Sequence, residues 1–155
     1  MKVLLINPPQ TFYPGSEAPA GNLPIGLMCI AAVLQKANYQ VEILDAFMAE
    51  AVFQKNSEIE TVGMLTERIK QEIAQRKPDV VGISGPFTCQ IGNTLKVSEL
   101  VKEVNPKILT VVGGPHVSLV PREFLEEAKA VDKIINEAGE QAAARGVHAV
   151  LPAAL

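Results

Sequence analysis

Residues 2–7 read KVLLIN, residues 79–84 read DVVGIS and residues 107–112 read KILTVV, and these three runs decide the fold. Each is a short aliphatic stretch without polar alternation, the pattern of a strand buried on both faces of a parallel sheet. Each is also stopped by chain breakers: Pro8-Pro9, Gly85-Pro86 and Gly113-Gly114-Pro115. Proline removes a donor and glycine frees the backbone, so both end regular structure. Working outward, QVEIL at 40–44 adds a second strand in chain order, and DKIIN at 132–136 adds a fifth.

The stretches between these strands carry helical periods. In LPIGLMCIAAVLQKAN (23–38), Ile25, Met28, Ala32 and Gln35 or Lys36 set a period that ends at Asn38. Thr61 to Lys77 places Val62, Leu65, Ile69 and Ile73 on one face and stops before Pro78. Ile91 to Val104 turns Leu95, Val97, Leu100, Val101 and Val104 inward, and Pro121 to Ala130 reads as a helix opened by proline. Pro8 to Asn22 reads as a long loop, and Ala46 to Ser57 reads equally as loop or short helix and is left unassigned. Strands alternating with helices predict an α/β fold, a flavodoxin-like (Rossmann-like) doubly wound five-stranded parallel sheet of order 2-1-3-4-5 with right-handed crossovers. A ligand of such a sheet sits outside the carboxyl ends of the strands, at the switch between the first and third.

Composition narrows the function. The chain has 155 residues, enough for one domain, and 14 basic against 17 acidic residues give a formal charge of −3. No basic block exists, so neither nucleic acid nor an anionic membrane is an expected partner. The longest apolar run, Leu27 to Leu34, is far short of the roughly 20 residues that span a membrane, and Val3 to Ile6 is too short for a signal peptide. The expectation is a cytoplasmic protein whose two distant cysteines, Cys29 and Cys89, are reduced thiols rather than metal ligands.

The carboxyl-end loops hold Asn7-Pro8-Pro9-Gln10-Thr11-Phe12, Ser84-Gly85-Pro86-Phe87-Thr88 and Gly113-Gly114-Pro115-His116. A phosphoacceptor site would need carboxylates where Asn7 and Ser84 stand. Neither GxGxxG nor GxxxxGK[ST] occurs anywhere in the chain, and two prolines stand where a flavin phosphate loop would need N–H donors. The small residues Ser84, Gly85, Gly113 and Gly114 would open a slot for a deep, narrow ligand, or would serve tight turns. A stand-alone flavin or nucleotide binding domain is the competing reading of the same fold.

The spacing of these loops resembles the cobalamin-binding domain family, whose pattern is DxHxxG, then SxL, then GG. Ser84-Gly85-Pro86 is followed after 26 residues by Gly113-Gly114. The first element departs: with Asn7 at the family's aspartate, Pro9 stands at the cobalt-ligating histidine and Phe12 at the glycine. That departure, together with VLLINPP, PIGLMCIAAVLQKANYQVEILDA, PDVVGIS, TVVGGPH and a final strand followed by Gly139-Glu140, is similar to the N-terminal domains of cobalamin-dependent radical S-adenosylmethionine enzymes. The magnesium-protoporphyrin monomethyl ester oxidative cyclase group is the best-known of these.

The resemblance covers residues 1 to about 140 and implies cobalamin bound base-off, with no histidine on cobalt. It further implies that Ser84 lines the nucleotide tail, that Gly85, Gly113 and Gly114 make room for it with Pro86, Pro115 and His116 alongside, and that Asn7, Pro8, Pro9, Gln10 and Thr11 lie beneath the corrin. Gly139 and Glu140 complete the set. No residue is assigned a catalytic or metal-ligating role: His116 reads as a tail contact or structural residue, Asp45 as a cap or turn residue, and Cys89 lacks a basic neighbour to activate it. His148 lies in a stretch that matches nothing in the family.

S-adenosylmethionine and a 4Fe-4S cluster belong to the parent enzyme, because CxxxCxxC is absent here and two distant cysteines cannot hold a cluster. The implied partner is therefore a radical S-adenosylmethionine domain in cis. Residues 141–155 (QAAARGVHAVLPAAL) depart from the family and read as a truncation or foreign sequence.

Overall fold

The computed structural model describes residues 1–15, 23–49, 52–55, 59–119, 121, 124, 126 and 128–135. In chain order the elements are β1 (Lys2–Asn7), β2 (Gln10–Phe12), α1 (Ile25–Lys36), β3 (Gln40–Asp45), β4 (Val52–Lys55) and β5 (Glu60–Gly63). They continue with α2 (Thr66–Arg76), β6 (Val80–Ser84), a 3-10 turn (Thr88–Gln90), α3 (Ile91–Val104), β7 (Leu109–Gly113), α4 (Pro115–Leu119) and β8 (Lys133–Ile135). The main sheet is parallel throughout, in the order β3-β1-β6-β7-β8. This is the expected 2-1-3-4-5 order once β2, β4 and β5 are set aside.

Alternation along the strands builds two cores, one on each face. Leu4, Ile6, Val81, Ile83 and Val112 pack with Ile69 and Ile73 of α2 and Val97, Leu100 and Val101 of α3. Val3, Leu5, Val80 and Val111 pack with Leu27, Ala31 and Leu34 of α1. The strands read as unbroken aliphatic runs because both of their faces are covered. The helix endings also follow the chemistry: Asn38 takes φ 64° just past α1, and the Tyr39 amide donates to the Leu34 carbonyl at 3.1 Å in a Schellman-type stop.

Four expectations are corrected. The helix expected from Thr61 begins only at Thr66. Glu60–Gly63 is instead the middle strand of a second, antiparallel sheet, β2-β5-β4, and Gly63 has φ 137°, outside any helix. Val62 is buried there as a strand residue, while Leu65 caps α2 and is exposed. Second, the expected long loop and unassigned stretch hold β2 and β4.

Third, α1 buries Leu27, Ala31 and Leu34, whereas Ile25 and Met28 face outward; the helix is apolar nearly all round, so periodicity alone chose the wrong stripe. Fourth, the strand expected from Lys107 starts at Leu109, because Asn105 makes a turn first: its side-chain oxygen accepts the Lys107 amide at 3.0 Å and its carbonyl the Ile108 amide at 3.1 Å. Of the helix expected at 121–130, Pro121, Phe124 and Glu126 are described and helical, and Phe124 and Ala128 are buried. Residues 136–155, with Gly139, Glu140 and His148, lie outside the described residues.

Candidate functional site at the carboxyl ends of the strands

The last rungs of the parallel ladder join Asn7 to Asp45, Ser84 to Gly113, and Gly113 to Ile135. Counting by twos from the α1-side core puts all five of these residues on the α1 face of the sheet. At the β1 side of that face, Asn7 is buried and its Nδ2 donates to Asp45 Oδ1 at 2.9 Å. Asp45 Oδ1 also accepts the Met48 amide at 3.3 Å, and its carbonyl accepts Ala49 N–H at 2.9 Å. Asp45 is thus a turn residue.

Toward β6 and β7 the same face becomes small. Leu5 fills the place a Gly82 side chain would take, with Cδ2 2.8 Å from a Cβ built there. Beyond it, Ser84 and Gly113 are half-buried, and a Cβ on Gly113 would stand an ordinary 3.5 Å from Ile135 Cβ. Ser84 and Gly113 thus floor a narrow lane of small residues beside Ile135, in which a Cβ on Gly113 would be in ordinary van der Waals contact. The Ser84 carbonyl is occupied, accepting from Thr94 Oγ1 at 3.0 Å.

Gly85 and Gly114 do something different. Gly85 is buried, its amide donates to the Gly113 carbonyl at 2.7 Å, and a Cβ on it would meet Val117 Cγ2 at 3.2 Å. Gly114 has φ 138°, and its missing side chain lets its backbone touch the Gly85 peptide. The loops after β6 and β7 are pressed together, and this contact holds the floor of the lane shut from below. The same two loops are bridged further out, where Thr88 Oγ1 lies 3.0 Å from Nδ1 of half-buried His116. Pro86 is half-buried, Pro115 is exposed, and Phe87 projects into solvent.

The loop after β1 is fixed from both sides. Pro8 and Pro9 are buried, and Pro9 packs on Gly63, whose absent Cβ would fall 2.9 Å from Pro9 Cβ and 2.5 Å from the Ala46 carbonyl oxygen. Gln10 and Thr11 continue into β2, opposite Val62 and Thr61. Thr11 is held by three residues that the sequence did not single out. Gln90 exchanges two 2.7 Å hydrogen bonds with its backbone, Asn93 Nδ2 donates to its hydroxyl at 2.8 Å, and Thr61 Oγ1 lies 3.3 Å from that hydroxyl.

Among the described residues, no three His, Cys, Asp or Glu side chains converge as a metal-ligand group, and both cysteines are exposed free thiols. The displaced titrations lie elsewhere. Toward the amino end of the sheet, hydrogen bonds from Lys2 and then Arg76 hold the Glu42 carboxyl below its ordinary range. Between α2 and α3, Lys70 and Glu103 pair at 2.7 Å, which lowers the glutamate and raises the lysine. At the site the polar groups are mostly turned to one another, Asp45 to Asn7 and His116 to Thr88.

Known proteins are similar to this chain in sequence and in fold. The cytidylyl-2-hydroxyethylphosphonate methyltransferase of Streptomyces wedmorensis is 35% identical over 131 residues, 81% of this chain and 24% of that protein. The anaerobic magnesium-protoporphyrin IX monomethyl ester cyclase of Rubrivivax gelatinosus is 31% identical over 141 residues, 91% of this chain and 23% of that protein. The cobalamin-dependent radical SAM methyltransferase TokK of Streptomyces tokunonensis is 41% identical over 69 residues, 43% of this chain and 10% of that protein. The chain thus spans a quarter or less of the length of these relatives.

Among solved structures, the monomethylamine corrinoid protein of Methanosarcina barkeri shares the fold at a TM-score of 0.58 and 15% identity, over 93% of this chain and 57% of that one. The model of the B12 binding domain matches residues 17–145. By fold, by the loops that end its strands and by this match, the chain belongs to the B12 binding domain family.

Proposed function

We propose that this chain, over residues 1–140, holds cobalamin base-off for a radical S-adenosylmethionine enzyme of which it is one part, with no histidine of the β1 loop on cobalt. The observation that carries the reading is the burial of Pro8 and Pro9 together with the packing of Pro9 on Gly63. The position at which the family's ligand would stand carries no imidazole, and the backbone there is locked against β5. His116 belongs to the other side of the site, and its Nδ1 is engaged by Thr88.

In this reading Ser84 and Gly113, with Gly85, Pro86, Gly114, Pro115 and His116 around them and Gly139 and Glu140 beyond, hold the nucleotide tail in the small-residue lane. Asn7 to Thr11 lie under the corrin. Bound cobalamin supplies a cobalt centre that can carry a methyl group. The protein's own part is to shape the lane, keep the β6 and β7 loops together and keep imidazole away from the metal. The cluster and S-adenosylmethionine belong to a domain in cis, a reading supported by the likeness to TokK, a longer cobalamin-dependent radical SAM methyltransferase. No helix of the described residues is long and apolar enough to cross a membrane, and a cytoplasmic location is part of the proposal.

Hydroxocobalamin added to the purified chain and followed through gel filtration tests it. Co-elution with a base-off visible spectrum is expected. A base-on spectrum in the complex, or no retention under either reducing or oxidising conditions, overturns it.

A further inference from the structure

Among the described residues, Gln90 is one of the few polar ones that are almost fully buried, at 6% exposure, and its amide is spent on a segment 79 positions away. Its Oε1 accepts the Thr11 amide and its Nε2 donates to the Thr11 carbonyl, both at 2.7 Å. In an antiparallel ladder alternate residues turn their N–H and C=O away from the paired strand. Thr11 is such a residue of edge strand β2, and the close approach of its hydroxyl to Thr61 Oγ1 agrees with a non-hydrogen-bonded pair. Gln90 therefore acts as a one-residue strand on the open edge of β2. Asn93, one turn along α3, donates to both Thr11 Oγ1 at 2.8 Å and Gln90 Oε1 at 3.1 Å, which fixes the amide's orientation.

We propose that Gln90 is a positioning residue that locks the loop after β1 to the loop after β6. The lower face of the corrin and the pocket of its tail are then set as one unit. The inference rests on the functional reading above. Gln90 closes the segment that runs on from Ser84, and Thr11 ends the segment that runs on from Asn7. The two stretches assigned to opposite parts of one cofactor are joined backbone to side chain through Gln90, with Asn93 beside it.

The test compares the full chain with its Gln90→Ala and Asn93→Ala variants in three measurements: amide hydrogen exchange at Thr11, hydroxocobalamin affinity, and the electron paramagnetic resonance spectrum of bound cob(II)alamin. For Gln90→Ala, faster exchange at Thr11, affinity lower by roughly tenfold as the two loops lose their pre-organisation, and an altered cobalt spectrum are expected. Asn93→Ala keeps both backbone bonds and should change all three less. Should Gln90→Ala fail to fold, Gln90→Glu, which keeps the shape but cannot donate to the Thr11 carbonyl, is read in the same way.

Faster exchange at Thr11 with unchanged affinity and spectrum makes Gln90 merely structural and overturns the proposal. A wild-type chain that holds no cobalamin overturns the functional reading itself, and with it the positioning role. These two failures are distinguished by the wild-type binding measurement alone.

Discussion

Gly85 and Gly114 meet backbone to backbone: a Cβ on Gly114 would overlap the Gly85 carbonyl oxygen and come within 2.8 Å of its carbonyl carbon. The two adjacent glycines after β7 therefore have separate duties. A Cβ on Gly113 would make only ordinary contact with Ile135, and Gly114 lets two loops touch at a φ that side chains rarely adopt.

Substitution at the two positions should separate these duties. Gly113→Val adds a strand-compatible side chain where a Cβ is tolerated, so the variant should fold with a nearly unchanged melting temperature and lose cobalamin retention. Gly114→Val should lower stability by roughly 1–3 kcal/mol, the range for overpacking and backbone strain, with or without cofactor. Thermal unfolding beside gel filtration with hydroxocobalamin reads both effects. Normal retention by Gly113→Val would show that the tail does not use the lane.

At the lane's floor, Ser84→Ala should weaken cobalamin binding by about 0.5–1.5 kcal/mol, the net value of one hydrogen bond. His116→Ala should leave the cobalt spectrum as in the wild type, since the imidazole faces Thr88. Spectrophotometric titration checks both; a changed cobalt band in His116→Ala would reassign that residue as a ligand.

Away from the site, acid stability should depend on Glu42, whose carboxylate meets Lys2 Nζ at 2.6 Å and Arg76 Nη1 at 2.5 Å. Its folded pKa is lowered, chiefly by the hydrogen bond from Lys2 and then by that from Arg76. The stabilisation is therefore present above the ordinary glutamate pKa of the unfolded chain and is lost as pH falls through the folded value. Melting temperatures measured from neutral pH to pH 3 should fall more steeply for the wild type than for Glu42→Gln. Parallel curves would remove Glu42 from the acid transition.

How far the sequence reveals these features follows from the range of the interactions. Strands covered on both faces leave aliphatic runs that need no partner to be recognised, so β1, β6 and β7 were legible within a residue or two. The small sheet was not: β2, β4 and β5 are three or four residues long. Thr61 and Val62 also happen to lie at helical spacing from Leu65 and Ile69. Gly63, at a φ that only glycine adopts freely and packed on Pro9, separates strand from helix there. At the site, the Ser84-Gly85 and Gly113-Gly114 pairs could be seen as small residues at strand ends. That Gly85 and Gly114 face each other depends on the strand order, and that Gln90 holds Thr11 depends on a contact with no local signature. A glutamine followed by Asn93, just before a helix, was the available clue.

The reading that cobalt receives no nitrogen from this chain or from the cofactor's own base is tested most directly by electron paramagnetic resonance of cob(II)alamin bound to the purified chain. An axial nitrogen splits each cobalt line into three. A bound-state spectrum without that triplet splitting is the expected result, unchanged in His116→Ala. Triplet splitting in the complex would contradict the reading, and its persistence with cobinamide, which lacks the base, would identify a protein imidazole as its source.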